Sequence, residues 1–297
     1  MSFKAFVITA VIFTAASSIF GQREVEPLIA AQKSFDRAVT EKGMKTAFLE
    51  FLKDDATVFE PGPVNGKEYW NFRKDDPDTK LERTLTYTDI DAAGILGYTT
   101  GNWRSYQKGK SEGLAKFGQY VTIWERGPAG KFMVGVDIAV THEKLPFSET
   151  DTPIFTKQTR DINIRAWSPA DALSGFLRLS MTSKRLGGAY EKFAADDVRI
   201  LRDGAPPIIG KKLAVKVMDE YISVMFPRKY ALFQSADMAY TWNPCNFDNT
   251  SEGMVEGNCL HIWKLRKKKW YIVLGVFAPI PNMRKPELKT APKKKSH

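Results

Sequence analysis

The apolar positions early in the chain change from a helical spacing to a strand-like one. Residues 24–53 place apolar side chains three or four positions apart, which is the spacing of one buried helix face. Gly43 interrupts that run and predicts two helices rather than one. From residue 81 to residue 140 apolar and polar side chains alternate, most clearly in Tyr120–Trp124, and this alternation predicts strands. Helices followed by antiparallel strands are typical of an α+β domain.

Shorter signals complete the pattern. TVFEPGPVNG predicts a short strand that leads into a turn, and KEYWNFRK predicts a short helix after it. GPAG predicts the turn of a hairpin between the last two strands. The second half of the chain repeats this order, with helices predicted around 169–195 and 209–225. Its predicted strands lie around 198–202, 228–243, 257–266 and 269–277.

The sequence motifs also occur twice in the same order. FLKDDATVFEPGPVNGKE corresponds to FAADDVRILRDGAPPIIGKK, GYTTGNW to AYTWNP, and GQYVTIWERGPAGKFMV to GNCLHIWKLRKKKWYIV. The offset between matching positions drifts by only a few residues, which predicts two copies of one domain. We therefore assign residues 22–141 to a first domain, 142–167 to a linker and 168–281 to a second, diverged domain. Matched pairs include Asp54 and Asp196, Phe59 and Leu201, Gly66 and Gly210, Tyr98 and Tyr240, Trp124 and Trp263, and Phe132 and Trp270.

The net charge of +10 over 297 residues is concentrated at the ends of the chain. Residues 283–297 hold six Lys and Arg and one Glu, so the two domains keep only a small positive excess. The basic tail, 282–297, ends in KTAPKKKSH, where no apolar residue can anchor it. We predict a disordered, solubilising tail in preference to a nucleic-acid-binding arm, and we expect no nucleic-acid partner.

The N-terminus has the pattern of a cleaved signal peptide. Lys4 precedes the apolar run AFVITAVIFTAASSIF, and small residues with Gly21 come before a polar segment that begins at Gln22. The run is short for a membrane-spanning helix, and no other segment approaches that length. We expect residues 1–21 to be removed and the mature protein to be exported, to the periplasm or the extracellular space, with no membrane association afterwards.

Export makes the two cysteines of the chain, Cys245 and Cys259, candidates for a disulfide. They flank a polar, turn-rich segment, so strands on either side would bring both thiols to the base of a hairpin. A disulfide and two separate buried thiols both fit, because the sequence does not give the distance between the Cα atoms. No metal site is predicted, since only His261 lies near and too few ligands converge.

These motifs resemble the nuclear-transport-factor-two-like superfamily, and within it exported domains of unknown function related to SnoaL-like polyketide cyclases and steroid delta-isomerases. The resemblance covers residues 24–140 well and 169–278 more weakly. It implies two tandem cystatin-like cone domains, each a curved antiparallel sheet packed on N-terminal helices, with a pocket at the open end. It also implies small apolar ligands, and pairing through the sheets, either as a pseudo-dimer of the two domains or as a homodimer.

Enzymes of that superfamily use pocket carboxylates, tyrosines or histidines as general acids or bases, and the resemblance directs attention to such residues here. Asp137 follows the apolar run FMVGV, on or at the end of a strand, and His142 follows the last strand of the first domain. Both are candidate catalytic residues, and for Asp137 the alternative is a structural ion pair or backbone contact. The second domain has Gly275 in the aligned place, so any Asp137 chemistry would be confined to the first domain.

Five residues are candidates for contact with a ligand. Glu60 lies at a strand-to-turn junction, where a surface carboxylate is the alternative. The aromatic candidates lie in predicted strands, where rings fill a core as readily as they line a pocket. The two copies differ at Glu60/Arg202 and at Thr122/His261, which suggests that one copy binds while the other supports the fold. The five candidates are Glu60, Tyr98, Trp103, Tyr120 and Trp124.

Several functional classes lack their motifs in this chain. It contains no GxSxG, P-loop, GxGxxG or HExxH sequence, which argues against serine-hydrolase, nucleotide-binding and zinc-protease functions, and we expect no cofactor. The first hypothesis is therefore a protein that binds a small apolar or aromatic molecule in its first domain. The second is a cofactor-independent isomerase, cyclase or hydratase that uses a pocket carboxylate. The third is a protein-interaction module whose curved sheets bind another protein.

Overall fold

A computed structural model describes residues 8–109, 115–145, 154–155, 168–183, 185–222, 231–249 and 253–280. The predicted basic tail and most of the predicted linker lie outside these ranges. Among the helices that are described, none combines the length and the apolar character needed to cross a membrane.

The first domain begins with helices and continues as a sheet. One helix ends at Lys42 and the next begins at Met44, which confirms the predicted break at Gly43, whose positive φ of 83° favours glycine. The first helix includes residues 8–21 of the predicted signal peptide, whose removal stays a prediction. The elements are α1 (Ile8–Lys42), α2 (Met44–Phe51), β1 (Leu52–Phe59), β2 (Pro63–Asn65), α3 (Gly66–Phe72), β3 (Thr79–Ile90), β4 (Leu96–Gln107), β5 (Lys116–Arg126) and β6 (Phe132–His142).

The second domain repeats this order with shorter helices than predicted. Two helices lie in the segment 169–195, where helices were expected, and they are separated where the backbone becomes extended at Ser183. The helix expected over 209–225 ends at Met218, since the chain next joins the sheet at Tyr221. After the short strand β7 (Ile154–Phe155), which precedes the second domain, the elements are α4 (Pro169–Thr182), α5 (Gly187–Phe193), β8 (Ala194–Arg202), β9 (Ile208–Ile209), α6 (Lys211–Met218), β10 (Tyr221–Ile222), β11 (Ala231–Ser235), β12 (Met238–Asn249), β13 (Gly253–Arg266) and β14 (Lys269–Pro279).

Each domain has one seven-stranded sheet that is mixed rather than wholly antiparallel. The first follows the order β2-β1-β6-β5-β4-β3-β7, and β7 comes from inside the predicted linker. The second follows β10-β12-β13-β14-β8-β9, with β11 beside β12. The long central strands are antiparallel neighbours, whereas β1 runs parallel to β6 and β8 runs parallel to β14. The strand that leaves the helices therefore pairs with the last strand of its domain, and the fold is two tandem cone domains.

Both domains enclose the same cluster of rings beneath the sheet. A phenylalanine of the first helix meets a tryptophan edge-on, with ring centroids 6.2 Å apart in the first domain and 6.0 Å apart in the second. Each indole N–H donates to a threonine of the neighbouring strand, Trp124 to Thr99 at 2.9 Å and Trp263 to Thr241 at 3.1 Å. This shared geometry is the structural counterpart of the sequence repeat. The rings are Phe35, Phe48, Phe51 and Trp124 in the first domain, and Phe176, Tyr190, Phe193 and Trp263 in the second.

The opposite faces of the two sheets pack against each other. Because side chains alternate along a strand, Thr99 and Thr241 point into their own cones, while Tyr98 and Tyr240 point into the layer between the domains. The layer is apolar and buried, and its burial stabilises the two domains as one unit. Its members include Val121, Ile123 and Ile138 of the first sheet and Leu260, Ile262 and Val276 of the second.

A buried lysine joins the two domains at one edge of this layer. The Lys264 Nζ atom, on β13, donates to the Ile90 carbonyl oxygen at 2.7 Å. It also lies 3.4 Å from an Asp89 carboxylate oxygen and 3.7 Å from one of Asp237. All three charged side chains are 3% exposed, so the ammonium group offsets two carboxylates that have almost no contact with water.

We predict that Lys264→Met destabilises the protein by roughly 3–5 kcal/mol, because it leaves two buried carboxylates without a counter-charge. Urea denaturation followed by tryptophan fluorescence measures the change. The control is Lys269→Met, which removes the same charge from an exposed position near the start of β14. Equal unfolding midpoints for the two variants would contradict the assigned role of Lys264.

Candidate functional site

A cavity of about 410 Å³ lies in the first domain, between α2, α3 and the inner face of the sheet. Much of its wall is apolar or aromatic, and polar side chains are grouped at its floor and mouth. The apolar part of the wall includes Met44, Phe48, Val58, Trp70, Leu81 and Trp103. The polar part comprises Glu60, Arg73, Arg83, Asp137, Thr141 and Asp203.

A bidentate ion pair between Arg83 and Asp137 forms the floor of the cavity. Arg83 on β3 donates from Nη1 to Asp137 Oδ1 at 3.0 Å and from Nη2 to Asp137 Oδ2 at 2.9 Å. The Thr122 hydroxyl donates to the same Oδ1 atom at 2.6 Å. The Arg83 and Asp137 side chains are 5% and 10% exposed. Both carboxylate oxygens of Asp137 are therefore engaged, which is the structural ion pair that the sequence left open as the alternative to catalysis.

Aromatic rings hold the Arg83 guanidinium in place. Its central carbon lies 4.7 Å from the ring centroid of Tyr120, 5.2 Å from that of Phe35 and 5.6 Å from that of Phe48. Burial lowers the pKa of Arg83, but the attraction of Asp137 outweighs it, so the pKa is raised above its ordinary value. The floor is thus a fixed pair of opposite charges.

Trp103 forms one side wall and is anchored to the backbone. Its indole N–H lies within hydrogen-bonding distance of the Val140 carbonyl at 3.1 Å and the Gln119 carbonyl at 3.2 Å. The ring crosses Gly118, where a Cβ atom would lie only 2.6 Å from the indole nitrogen. The glycine therefore makes room for an aromatic wall that does not depend on a ligand for its orientation.

The corresponding space of the second cone is occupied by side chains. The register places His261 opposite Gly275, as Thr122 lies opposite Asp137 in the first domain. The Tyr190 hydroxyl lies 2.8 Å from His261 Nε2. Both side chains are buried, and burial lowers the pKa of His261 to about 3, so the ring is neutral near pH 7. The charged floor of the first domain is thus replaced by a neutral, hydrogen-bonded pair.

The same register aligns Ala139 of the first domain with Phe277 of the second. Ala139 is exposed and lines the cavity. Phe277 is buried, and its ring centroid lies 6.3 Å from that of Tyr190 and 6.0 Å from that of His261. A phenyl ring therefore lies in the second domain where a methyl group leaves space in the first.

Two cysteines take the aligned places of two first-domain aromatic residues. By register, Cys245 corresponds to Trp103 and Cys259 to Tyr120. The structure joins the two cysteines in a disulfide with Cα atoms 5.9 Å apart, on the neighbouring strands β12 and β13. The cross-link lies where the first domain has its aromatic side wall. No group of three or more acidic, His or Cys side chains suited to a metal ion occurs among the described residues.

The structure brings three of the predicted site residues to the cavity: Glu60, Trp103 and Asp137. Glu60 lies at the mouth near Arg73, whose guanidinium carbon is 5.3 Å from the ring centroid of Trp70. The predicted catalytic role of Asp137 is not tested by its position, although its oxygens already have partners.

The other predicted site residues do not line this cavity. Tyr98 faces the opposite domain, because it follows the alternation that turns Thr99 inward. Trp124 is enclosed by rings of the core, and Tyr120 lies beneath Arg83. His142 lies at the end of β6, where its Nδ1 atom is 2.6 Å from the Glu143 carbonyl oxygen. None of these four side chains lines the cavity, and their roles in binding or catalysis stay predictions.

Three charged residues that line the cavity, Arg73, Arg83 and Asp203, were missed by the sequence analysis, and so was Asp36 of α1, which interacts with Arg83. Arg83 lies in the alternating segment LERTLTYTDI, two residues after Leu81. Because residues two apart on a strand share a face, this spacing was the signal that Arg83 points to the inner face with Leu81. Asp36 lies on α1, and its carboxylate accepts a hydrogen bond from the Gln32 amide at 2.7 Å. Gln32 in turn accepts from the Thr99 hydroxyl at 2.6 Å, so a hydrogen-bonded chain links the helix to the sheet. No periodic pattern marks Asp36 as buried.

No protein-family model and no curated protein matches this chain in sequence. Solved structures with similar folds include an NTF2-like protein from Cytophaga hutchinsonii, 13% identical with a TM-score of 0.33, which covers 38% of this chain and 95% of its own. A protein of unknown function with a cystatin-like fold from Nostoc punctiforme is 13% identical with a TM-score of 0.31, and the match covers 39% of this chain and 91% of that one. A putative ketosteroid isomerase from Parabacteroides distasonis is 16% identical with a TM-score of 0.29, and the match covers 38% and 83%.

Each match has about the length of one of the two domains. The similarity concerns the fold alone.

Asp36 predicts a pH-dependent stability. Burial raises the pKa of this carboxyl from 3.8 to about 6, against the opposing attraction of Arg83. Between those values the folded chain holds a proton that the unfolded chain releases, so this group's contribution to stability falls as pH rises through about 6. We expect the free energy of unfolding of Asp36→Asn, relative to wild type, to rise by roughly 2–3 kcal/mol between pH 3.5 and pH 7. Chemical denaturation of both proteins across this pH range measures the difference. If their free energies of unfolding change with pH by the same amount, the prediction is contradicted.

Proposed function

We propose that the first domain binds one small, mainly apolar or aromatic molecule in its cavity, while the second domain does not use its own cone for binding. The observation that carries the proposal is the contrast between aligned positions. Ala139 leaves space above the Asp137 floor, and Phe277 and Tyr190 occupy the corresponding space of the second domain. Two copies of one fold thus differ where a ligand would lie.

The lining residues favour a ligand that is flat, uncharged and polar at one end. Trp70 and Trp103 contribute aromatic rings to the wall, and Met44 and Leu81 contribute aliphatic groups. The floor carries no unpaired charge, because Arg83 is already joined to Asp137. A hydroxyl or carbonyl group at the inner end of a ligand would interact with Arg83 and Asp137 through its dipole. A charged group is not needed there, because the two side chains already neutralise each other.

Binding fits the geometry better than proton transfer or docking of a protein. Asp137 accepts hydrogen bonds on both oxygens, so it would have to leave Arg83 and Thr122 before it could act as a general base. The sheet faces that an interaction module would expose are covered by the packing of one domain on the other. The leader sequence supports export of the binding protein, and the disulfide fits an oxidising compartment.

We predict that Ala139→Phe, which copies the second domain's residue into the first, weakens binding of 2-naphthol at least about tenfold, a loss of roughly 1.4 kcal/mol. The added ring fills space that the probe needs, while the exposed position tolerates substitution. Isothermal titration calorimetry measures the affinity, and thermal unfolding checks that the variant is folded.

The matched control is Ala129→Phe, which adds the same ring at an exposed residue in the turn between β5 and β6. It is expected to bind 2-naphthol as the wild type does. The proposal fails if the wild type binds no 2-naphthol, or if Ala139→Phe and Ala129→Phe bind it equally well.

A further inference from the structure

The mouth of the first-domain cavity is built in part by the second domain. Asp203, at the turn after β8, lines the cavity, as do Ala278 and Pro279 near the end of β14. These residues line the same cavity as Trp70 of α3 and its neighbour Arg73. A first domain without the second would therefore present a wider mouth with a different charge.

Asp203 is held at this mouth by contacts across the domain boundary. Its Oδ1 atom accepts a hydrogen bond from the Thr141 backbone N–H at 2.8 Å and another from the Thr141 hydroxyl. In return, the Gly204 N–H donates to the Thr141 carbonyl oxygen at 2.7 Å. The carboxylate therefore has a defined position relative to β6, the strand that also carries Asp137 and Ala139.

A second set of contacts fixes the opposite side of the mouth. The Asn258 side-chain amide, on β13, donates to the Pro61 carbonyl oxygen at 2.7 Å. The ring of Trp242, on β12, meets the Phe59 ring edge-on with centroids 5.7 Å apart. Pro61 and Phe59 both line the cavity, so the second domain supports the segment that also carries Glu60.

The charges at the mouth are unequal. Arg83 and Asp137 neutralise each other at the floor, so among the lining residues that the structure describes the Glu60 and Asp203 carboxylates remain against one guanidinium, that of Arg73. A ligand that enters thus passes a local excess of negative charge, even though the chain as a whole carries +10. Carboxylates repel an anion and leave an uncharged molecule largely unaffected.

We propose that Asp203 is a specificity-determining residue of the first-domain site, by which the second domain disfavours anionic ligands and leaves the cavity to uncharged ones. This rests on the proposed function, because it concerns the same cavity. The second domain is then part of the site. Its own cone is filled, and it contributes the Asp203 carboxylate to the mouth of the first-domain cavity.

The test compares two probes that share one ring system, neutral 2-naphthol and anionic 2-naphthoate, on the full chain at pH 7. Asp203→Asn keeps an oxygen for the Thr141 N–H and removes the charge. The control, Asp196→Asn, removes one negative charge from an exposed residue of β8, the strand that precedes Asp203, so it changes the net charge equally. Calorimetric titrations at low salt and in about 0.5 M sodium chloride measure both affinities.

We expect Asp203→Asn to tighten 2-naphthoate binding about fivefold at low salt, to leave 2-naphthol within about twofold, and to lose the effect at high salt. Asp196→Asn is expected to change neither affinity. The inference is overturned if the two variants act alike, if Asp203→Asn changes both probes in parallel, or if it changes neither. Those results would not contradict the proposed function. The proposed function fails separately, if the wild type does not bind 2-naphthol or if Ala139→Phe does not weaken that binding.

Discussion

The alternation of side chains along the strands is the constraint on which the rest of this structure depends. Each sheet has one face turned to its own helices and one turned to the other domain, so every residue of a central strand serves one of two environments. Tyr98 and Thr99 are neighbours in sequence, yet one lies between the domains and the other in the cone. In both copies the interdomain face is covered by apolar side chains of the other domain. The two copies therefore differ mainly on the inner face of the sheet.

The differences on that inner face form a coherent set. The first cone keeps a methyl group, an ion pair and an aromatic wall around an open space. The second places Phe277 and a disulfide at the aligned positions, and Tyr190 contacts a histidine that is neutral because burial lowers its pKa. A packed cone gives rigid support, and the support extends to the mouth of the first cavity through Asp203. Duplication followed by division of roles explains why two copies with a shared core have unlike interiors.

The sequence predicted the order of elements, the break at Gly43 and the duplication, because periodicity and repeated motifs are local signals. It did not predict which aromatic residues line the cavity. Alternation places Tyr98 and Trp103 on opposite faces of β4, but only the packing of the domains decides which face borders the cavity, and only the packing of the core separates Trp103 from Trp124. Arg83 escaped notice for a related reason, since its partner Asp137 lies on a strand 54 residues away. Sheet curvature and domain packing, which bring such residues together, leave little trace in a single sequence.

The central claim is that the first cone is open for a small molecule and the second is filled. Native mass spectrometry of the full chain purified from its own host tests this most directly. The account predicts one small molecule bound per chain, released on denaturation, with a mass that fits an uncharged, mainly apolar compound, and no such adduct on the Ala139→Phe variant purified in the same way. An identical adduct on that variant, or two bound molecules per chain, would contradict it.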